Sequence, residues 1–370
     1  MTRRTLLLLL LFAIGQSCVF LPNTRGQQAP PANTQKPKPQ SGLDPALLEP
    51  LSPDETLTVT TSLVSVPVQV MDRNGRFVVN LQQDDFRLYE DGVPQQIAFF
   101  NSIEAPFTVV LLIDTSYSTR PYKKEIRKAA VSFLDQLRPQ DMIMVVAFDA
   151  SLRVITKKTK NRYELRKALE NLSWITSGTL LYGSVELLLT RFFNRIQGRK
   201  ALVMLTDGYD ADARANQEFI KDLTQNGGTV NLSGFPPCDY IPCVTAEQGL
   251  YRAEEADTMI YSIQFSKFFA GDCQNIPKED KGETKWNCRA QYYLKGLADK
   301  TGGRFFHAAD PKEFEPLFTS IAQELRYQYN LAYYPPNDST RERRTIKVTV
   351  KRENIAVRAR QSYIPKPRKN

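Results

Sequence analysis

The chain has 370 residues, of which 42% are hydrophobic and 24% are charged. This length predicts two or three domains, and the composition excludes a disordered chain, a collagen-like chain and a membrane protein with many spans. His307 is the only histidine, which excludes zinc centres that need two or three imidazoles and most acid and base pairs built on histidine.

The N-terminus predicts a signal peptide over residues 1–26. Arg3 and Arg4 precede an apolar run at 6–14, which is too short to anchor the protein in a bilayer. We therefore expect a protein that is exported to the periplasm or secreted, without a transmembrane span after cleavage. A lipoprotein anchored through Cys18 and a twin-arginine signal are the alternatives.

A proline-rich linker is predicted over residues 27–55, which hold seven prolines and few large apolar side chains. An N-terminal β segment follows over 56–105. Its residues alternate between apolar and polar, and Asp91-Gly92 is typical of a hairpin turn.

Residues 106–327 alternate between predicted strands and helices. The alternation predicts an α/β domain with a doubly wound, mostly parallel sheet. Strands are expected at 107–113, 142–148, 201–206, 259–265 and 304–306, and helices at 121–137, 163–172, 180–196, 245–256, 291–300 and 313–327.

The segment 328–364 returns to β structure, and a basic tail follows over 365–370. Because neither β segment can bury much apolar surface alone, we expect 328–364 to pack with 56–105 as a small β-sandwich, with the α/β domain inserted between them. Residues 341–370 hold eleven Lys and Arg against two Glu, which accounts for +9, equal to the net charge of the whole chain. These cations alternate with apolar residues, which favours strands with one solvated face over nucleic-acid binding.

Four cysteines lie beyond the predicted signal peptide, and an exported protein is expected to pair them. The sequence-local pairing joins Cys238 to Cys243 and Cys273 to Cys288. The two other connectivities remain open, and a zinc site of four cysteines is a further alternative.

Side chains with oxygen atoms follow two of the predicted buried strands, and a further one precedes a predicted helix. Asp114, Ser116 and Ser118 come directly after the first buried strand, Thr179 precedes a helix, and Asp207 follows another buried strand. Ligands of open α/β sheets bind at the carboxyl ends of the strands. A set of oxygen ligands at this edge suits Mg²⁺ or Mn²⁺ and lacks the soft ligands that select zinc or copper.

This set resembles the metal-ion-dependent adhesion site of von Willebrand factor type A domains in residue type, order and spacing, over residues 106–326. The flanking stretches 63–68, 85–92, 301–304 and 329–335 resemble exported acidobacterial proteins that carry a related domain between β segments. The chain departs from this pattern in two long loops at 227–244 and 266–290, which hold the cysteines, so the resemblance does not define the shape of the ligand surface.

The resemblance implies a role for each residue of the set. Ser116 and Ser118 would bind the metal directly, Thr179 would bind it directly or through water, and Asp114 and Asp207 would act mainly through waters. An open position on the ion would then accept an acidic side chain of a protein partner. On the simpler alternative, Asp114 and Thr179 cap helices and the other three are turn residues.

The function expected from these features is that of an exported, metal-dependent, adhesion-type protein-binding module, not an enzyme. A metal-assisted hydrolase and a structural envelope protein with an empty site are the alternatives. We interpret His307 as a packed or solvated side chain. Asp149, Asp210, Asp212 and Glu186 are further candidates to modify the site.

Overall fold

We describe a computed structural model of the protein that covers residues 63–174, 178–210, 244–266, 273, 283–336 and 342–365. The predicted signal peptide, the linker, the basic tail beyond residue 365, Asp212, Cys238, Cys243 and most of the two long loops lie outside these residues.

The described residues form fourteen strands and six α-helices. The strands are β1 (Val64–Asp72), β2 (Phe86–Glu90), β3 (Val93–Gln95), β4 (Phe99–Asn101), β5 (Phe107–Asp114), β6 (Met142–Phe148), β7 (Leu152–Thr159), β8 (Arg199–Thr206), β9 (Met259–Phe265), β10 (Arg304–Ala308), β11 (Gln328–Tyr333), β12 (Arg344–Val350), β13 (Ile355–Ala359) and β14 (Ser362–Tyr363). The helices are α1 (Lys123–Gln136), α2 (Arg162–Glu170), α3 (Leu181–Leu187), α4 (Ala246–Glu255), α5 (Glu283–Thr301) and α6 (Phe314–Arg326).

The central sheet has six strands in the order β10-β9-β8-β5-β6-β7. Five of them are parallel, and β7 runs antiparallel at one edge. The strand order reverses between β5 and β8, which is the switch point of a doubly wound sheet. The predicted fold class is therefore confirmed, whereas the sequence did not predict β7.

Helices cover both faces of this sheet because alternate side chains of each strand point to opposite sides. On one face Val109 and Leu111 of β5 pack with residues of α1, α2 and α6. On the other face Val110 and Leu112 pack with residues of α3, α4 and α5. All eight residues of β5 are buried, as the continuous apolar run predicts.

Two antiparallel four-stranded sheets combine strands from both ends of the described chain. Their orders are β13-β1-β11-β4 and β14-β12-β2-β3. The side chains between them form one hydrophobic cluster that includes Val66, Phe86, Tyr329 and Val348. The expected packing of the N-terminal and C-terminal β segments is thus confirmed, and the Asp91-Gly92 turn joins β2 to β3.

Several predicted elements differ from the structure in their bounds. The helix expected from residue 291 begins at Glu283, and the helix expected over 180–196 is α-helical only to Leu187, after which the turns change to π and 3₁₀ geometry. The end of the expected C-terminal β segment is divided between β13 and β14, which lie in different sheets. The chain bends between them at Arg360, whose guanidinium is buried and donates to the carbonyl oxygen of Ala256 at 2.7 Å.

The C-terminal cations do not all lie on a solvated face, contrary to the sequence expectation. Lys347 of β12 is exposed, but Arg344 and Arg360 are only 8% and 3% exposed. Arg344 pairs with the buried carboxylate of Glu90 at 2.5 Å. Part of the basic C-terminal charge is therefore used inside the fold. None of the helices in the described ranges has the length and apolar character needed to cross a membrane.

Candidate metal site at the carboxyl edge of the central sheet

The candidate ligands after β5 and β8 lie at neighbouring strand ends. Ile113 of β5 pairs with Leu205 of β8, so Asp114 and Thr206 end adjacent strands at the point where the strand order reverses. Asp207 follows directly. The sheet therefore brings two carboxylates that are far apart in sequence to one edge, as the sequence predicts.

The carboxylate of Asp114 is fully buried and held on both oxygens. Its Oδ1 accepts a hydrogen bond from the backbone N–H of Ser116 at 2.9 Å, and its Oδ2 accepts one from the hydroxyl of Thr206 at 2.6 Å. The Thr206 hydroxyl in turn accepts from the backbone N–H of Gly208 at 2.9 Å. Sequence reasoning did not assign Thr206 to the site, although the residue lies beside Asp207.

Asp207 is half-buried and lies close enough to Asp114 for the two charges to interact. Burial raises the pKa of Asp114 to about 8, with the negative charge of Asp207 as the next cause, while hydrogen bonds from Ser116 and Thr206 oppose the shift. Burial also raises the pKa of Asp207, and a hydrogen bond from Ser118 opposes it. Within the described ranges, neither carboxylate forms an ion pair with a lysine or an arginine.

The hydroxyls of Ser116 and Ser118 lie 3.0 Å apart. Mg²⁺ binds oxygen at about 2.0–2.1 Å in octahedral geometry, so two adjacent ligands are about 2.9 Å apart. The spacing of the two hydroxyls is therefore compatible with neighbouring positions on one ion. Ser116 is buried whereas Ser118 is exposed, so the pair reaches from the interior to the surface.

Thr179 is buried in the connection between α2 and α3, and its neighbour Leu180 is bound to the loop that follows β6. The backbone N–H of Leu180 donates to the carbonyl of Asp149 at 2.9 Å, and the hydroxyl of Thr115 donates to the Asp149 carboxylate at 3.2 Å. The residue that follows Thr179 and the turn after β5 are thus tied to the same loop. The three residues before Gly178 lie outside the described part of the chain.

The simpler alternative holds for Asp207, whose Oδ1 accepts from the backbone N–H of Tyr209 at 3.0 Å as in an aspartate turn, but not for helix capping by Asp114 and Thr179. Tyr122 precedes α1 and Leu180 precedes α3 at the capping positions, and neither makes a side-chain cap. Asp114 does form the local turn expected of an aspartate, through its bond to the Ser116 N–H. The turn uses Oδ1 of the carboxylate and the bond to Thr206 uses Oδ2, so the local turn does not prevent the contact between the two strand ends.

The other carboxylates named from the sequence are engaged in contacts of their own. Asp149 pairs with Arg153 at 2.8 Å, Asp210 accepts from the backbone N–H of Tyr182 at 2.7 Å, and Glu186 pairs with Arg252 at 3.0 Å. Burial lowers the pKa of the His307 imidazole, whose Nε2 lies 3.1 Å from the carbonyl oxygen of Ser266.

No three His, Cys, Asp or Glu side chains of the described residues come together in an arrangement suited to a metal. A site at this edge would therefore depend on the hydroxyls as well as on the two carboxylates.

One of the expected disulfides is present. Cys273 and Cys288 are bridged, with Cα atoms 5.4 Å apart, and the bridge ties the first half of α5 to the loop before it. The other expected pair lies outside the described residues.

Comparison with known proteins finds one family to which part of the α/β region is similar. Residues 109–209 match the family model of the von Willebrand factor type A domain. The chain matches none of the curated proteins with which it was compared.

Similar solved structures include the vWF domain of the type V pili tip protein Mfa5 from Porphyromonas gingivalis, with 16% identity, 59% of this chain and 94% of that chain covered, and a TM-score of 0.42. A von Willebrand factor type A protein from Catenulispora acidiphila is 11% identical, with 83% of this chain and 75% of that chain covered and a TM-score of 0.41. The pilus adhesin SpaC from Lactobacillus rhamnosus GG is 10% identical, with 78% of this chain and 44% of that chain covered and a TM-score of 0.42. Residues 109–209, which include most of β5 and all of β6, β7 and β8 of the doubly wound sheet, are therefore similar in sequence to the von Willebrand factor type A domain.

Proposed function

We propose that this sheet edge binds one Mg²⁺ or Mn²⁺ ion and that the ion contacts an acidic side chain of a protein partner. Ser116 and Ser118 would hold the ion through their hydroxyls, with Thr179 as a third oxygen ligand. Asp114 and Asp207 would supply the negative charge behind these hydroxyls. The ion would contribute electrophilic charge at the surface.

The observation that carries this proposal is the pair of carboxylates without a cation. Asp114 is fully buried and Asp207 is half-buried, and both have raised pKa values. Placing two carboxylates together away from water costs free energy unless a positive charge compensates them. No lysine or arginine of the described residues does so, whereas a divalent cation between the carboxylates and the two serine hydroxyls would.

The proposed activity is binding and not hydrolysis. An ion held mainly by neutral hydroxyls keeps much of its positive charge and attracts a further anionic ligand. Ser118 is exposed, so the ion would be within reach of a partner. We further propose that the protein acts after export, where the Cys273–Cys288 bridge is stable.

The test is to capture partners from an envelope fraction on immobilised protein, in Mg²⁺ and in EDTA. We expect a captured protein to be lost in EDTA and on the variant Ser116→Ala. Ser102→Ala is the matched control, because Ser102 lies before the amino end of β5, away from the site. Capture that is equal in EDTA and on Ser116→Ala would refute a metal-dependent contact.

A further inference from the structure

We infer that the partner segment at this edge is acidic over several residues and lies along the first turn of α1. This inference rests on the proposed function and extends it from one coordinating carboxylate to the surface around the ion. It rests first on three exposed cations that form no ion pair with another described residue.

Three exposed cations lie within six residues after Ser118. Arg120 lies in a 3₁₀ turn that begins directly after Thr119, and Lys123 and Lys124 open α1. None of the three forms an ion pair with another described residue. Farther along the same helix the cations have partners, since Lys128 pairs with Glu315 at 2.9 Å.

The position of these cations is electrostatically unfavourable for the helix alone. The N-terminus of an α-helix carries partial positive charge, so lysines in its first turn reduce its stability and acids there increase it. Glu125 is the single acid among residues 117–125. The first turn of α1 therefore combines its own positive end with Lys123 and Lys124, and Arg120 adds a third cation in the 3₁₀ turn before it, which favours an anionic segment beside them.

Exposed tyrosines flank the candidate ligands on this surface. Tyr117, between Ser116 and Ser118, is 70% exposed, and Tyr209, next to Gly208, is 40% exposed. The ring of Tyr209 lies 5.1 Å from that of Trp286, at the start of α5. Tyrosine and tryptophan are enriched in protein interfaces, where they supply apolar contact area with a polar edge.

A protein segment fits these features better than a nucleic acid does. The surface offers three cations beside one glutamate, which is few for a contact whose affinity depends on neutralising many phosphates. In an acidic protein segment, one carboxylate can bind the ion while others pair with the three cations.

The experiment measures fluorescence anisotropy of a synthetic peptide with a central run of glutamates. A matched peptide with glutamines and a single-stranded oligonucleotide serve as comparison probes. Each is titrated with the protein in Mg²⁺ and in EDTA. The test variant is Lys123→Glu/Lys124→Glu, and the control is Lys347→Glu/Lys351→Glu, which changes net charge equally on exposed positions of the β-sandwich.

We expect the acidic peptide to bind in Mg²⁺, the test variant to weaken binding by about tenfold or more, and the control variant to leave it within about twofold. Calorimetry should show that the test variant binds Mg²⁺ no more weakly than the wild type. Because acids stabilise the first turn of a helix, loss of folding is not expected in this variant.

The outcomes separate this inference from the proposed function. Peptide binding that is lost in the test variant but unchanged in EDTA would support the acidic segment and refute the metal contact. Binding that is lost in EDTA but unchanged in the test variant would overturn this inference and leave the metal contact in place. Absence of peptide binding, equal binding of the glutamine peptide, or equal binding of the oligonucleotide would also overturn it.

Discussion

The hydroxyl of Thr206 donates a 2.6 Å hydrogen bond to Oδ2 of Asp114 across the two strands between which the sheet order reverses. The bond joins residues 92 positions apart and fixes the carboxylate that is farthest from solvent at the candidate site. The Thr206 side chain thus positions Asp114 and need not contact an ion itself.

We expect Thr206→Val to weaken Mg²⁺ binding by about tenfold, because loss of a group that orients a ligand typically costs 10–100-fold in metal affinity. Thr206→Ser keeps the hydroxyl and should retain wild-type affinity. Calorimetric titration of both variants measures the effect. Equal affinity in the valine and serine variants would show that the hydrogen bond does not support the site.

The buried ion pair between Glu90 and Arg344 should be essential to the β-sandwich. Glu90 also accepts hydrogen bonds from the hydroxyls of Tyr333 and Tyr363. Replacing Arg344 by methionine leaves this carboxylate buried without its cation, and we expect a loss of about 3–5 kcal/mol in the free energy of unfolding.

Adding Glu90→Gln to that variant should restore part of the loss, because the unpaired charge is then removed. Urea unfolding of the single and double variants tests this. A double variant less stable than Arg344→Met by the full cost of Glu90→Gln would indicate that the two residues act independently.

Glu254 of α4 should make stability depend on acid pH. Burial raises its pKa, but hydrogen bonds from Arg343, Lys300 and Ser362 lower it by more, so its pKa in the folded protein is below the usual 4.5. A group with a lowered folded-state pKa stabilises the protein fully above its unfolded-state pKa, and this contribution is lost as the pH falls through the folded-state value.

We therefore expect Glu254→Gln to cost about 1–3 kcal/mol near neutral pH and progressively less below about pH 4.5. Arg343 and Lys300 are partly exposed, which keeps the cost below that of a fully buried pair. Urea midpoints of wild type and variant across this pH range provide the measurement. A difference that stays constant down to about pH 3 would exclude this role for the Glu254 charge.

The two glycines between α5 and β10 occupy positions where a side chain does not fit. A Cβ on Gly303 would lie 2.0 Å from the carbonyl oxygen of Ile260, and one on Gly302, whose φ is +76°, would lie 2.6 Å from the backbone N of Arg360. We expect Gly303→Ala to destabilise the protein by about 3 kcal/mol, because backbone atoms must move.

Gly198→Ala is the control for that substitution. Gly198 has φ +78° but open space around it, so only the left-handed conformation is penalised, by about 1 kcal/mol. Thermal unfolding of both variants compares them. If Gly303→Ala were no less stable than Gly198→Ala, the close approach to Ile260 would not constrain the sequence.

Strands buried on both faces were the most predictable part of the fold. The runs 142–148 and 259–265 match β6 and β9 residue for residue, because a continuous apolar run between polar segments has few other interpretations. The edge strand β7 was not predicted from the sequence, because it pairs on one side only and its last three residues, Lys157, Lys158 and Thr159, are polar.

The candidate site was predictable as far as residue order and strand ends determine it. Asp114 is the last residue of β5, and Ser116, Ser118 and Asp207 follow the ends of buried strands, which the apolar runs locate. The Thr206 bond was not predictable, because a threonine at a strand end has many possible partners.

The buried roles of Arg344 and Arg360 were not predictable for a related reason. Arginines that alternate with apolar residues usually face solvent. The carboxylate of Glu90 and the carbonyl of Ala256 that receive them come from distant parts of the chain.

The central claim is that the two carboxylates and the hydroxyls at the edge between β5 and β8 hold one divalent ion. The most direct measurement is isothermal titration calorimetry of metal-free protein with Mg²⁺ and Mn²⁺, for the wild type, Asp114→Ala and the control Asp299→Ala, which removes an exposed carboxylate of α5. We predict one ion per chain for the wild type and the control and no measurable binding for Asp114→Ala. Equal binding by wild type and Asp114→Ala would contradict the claim.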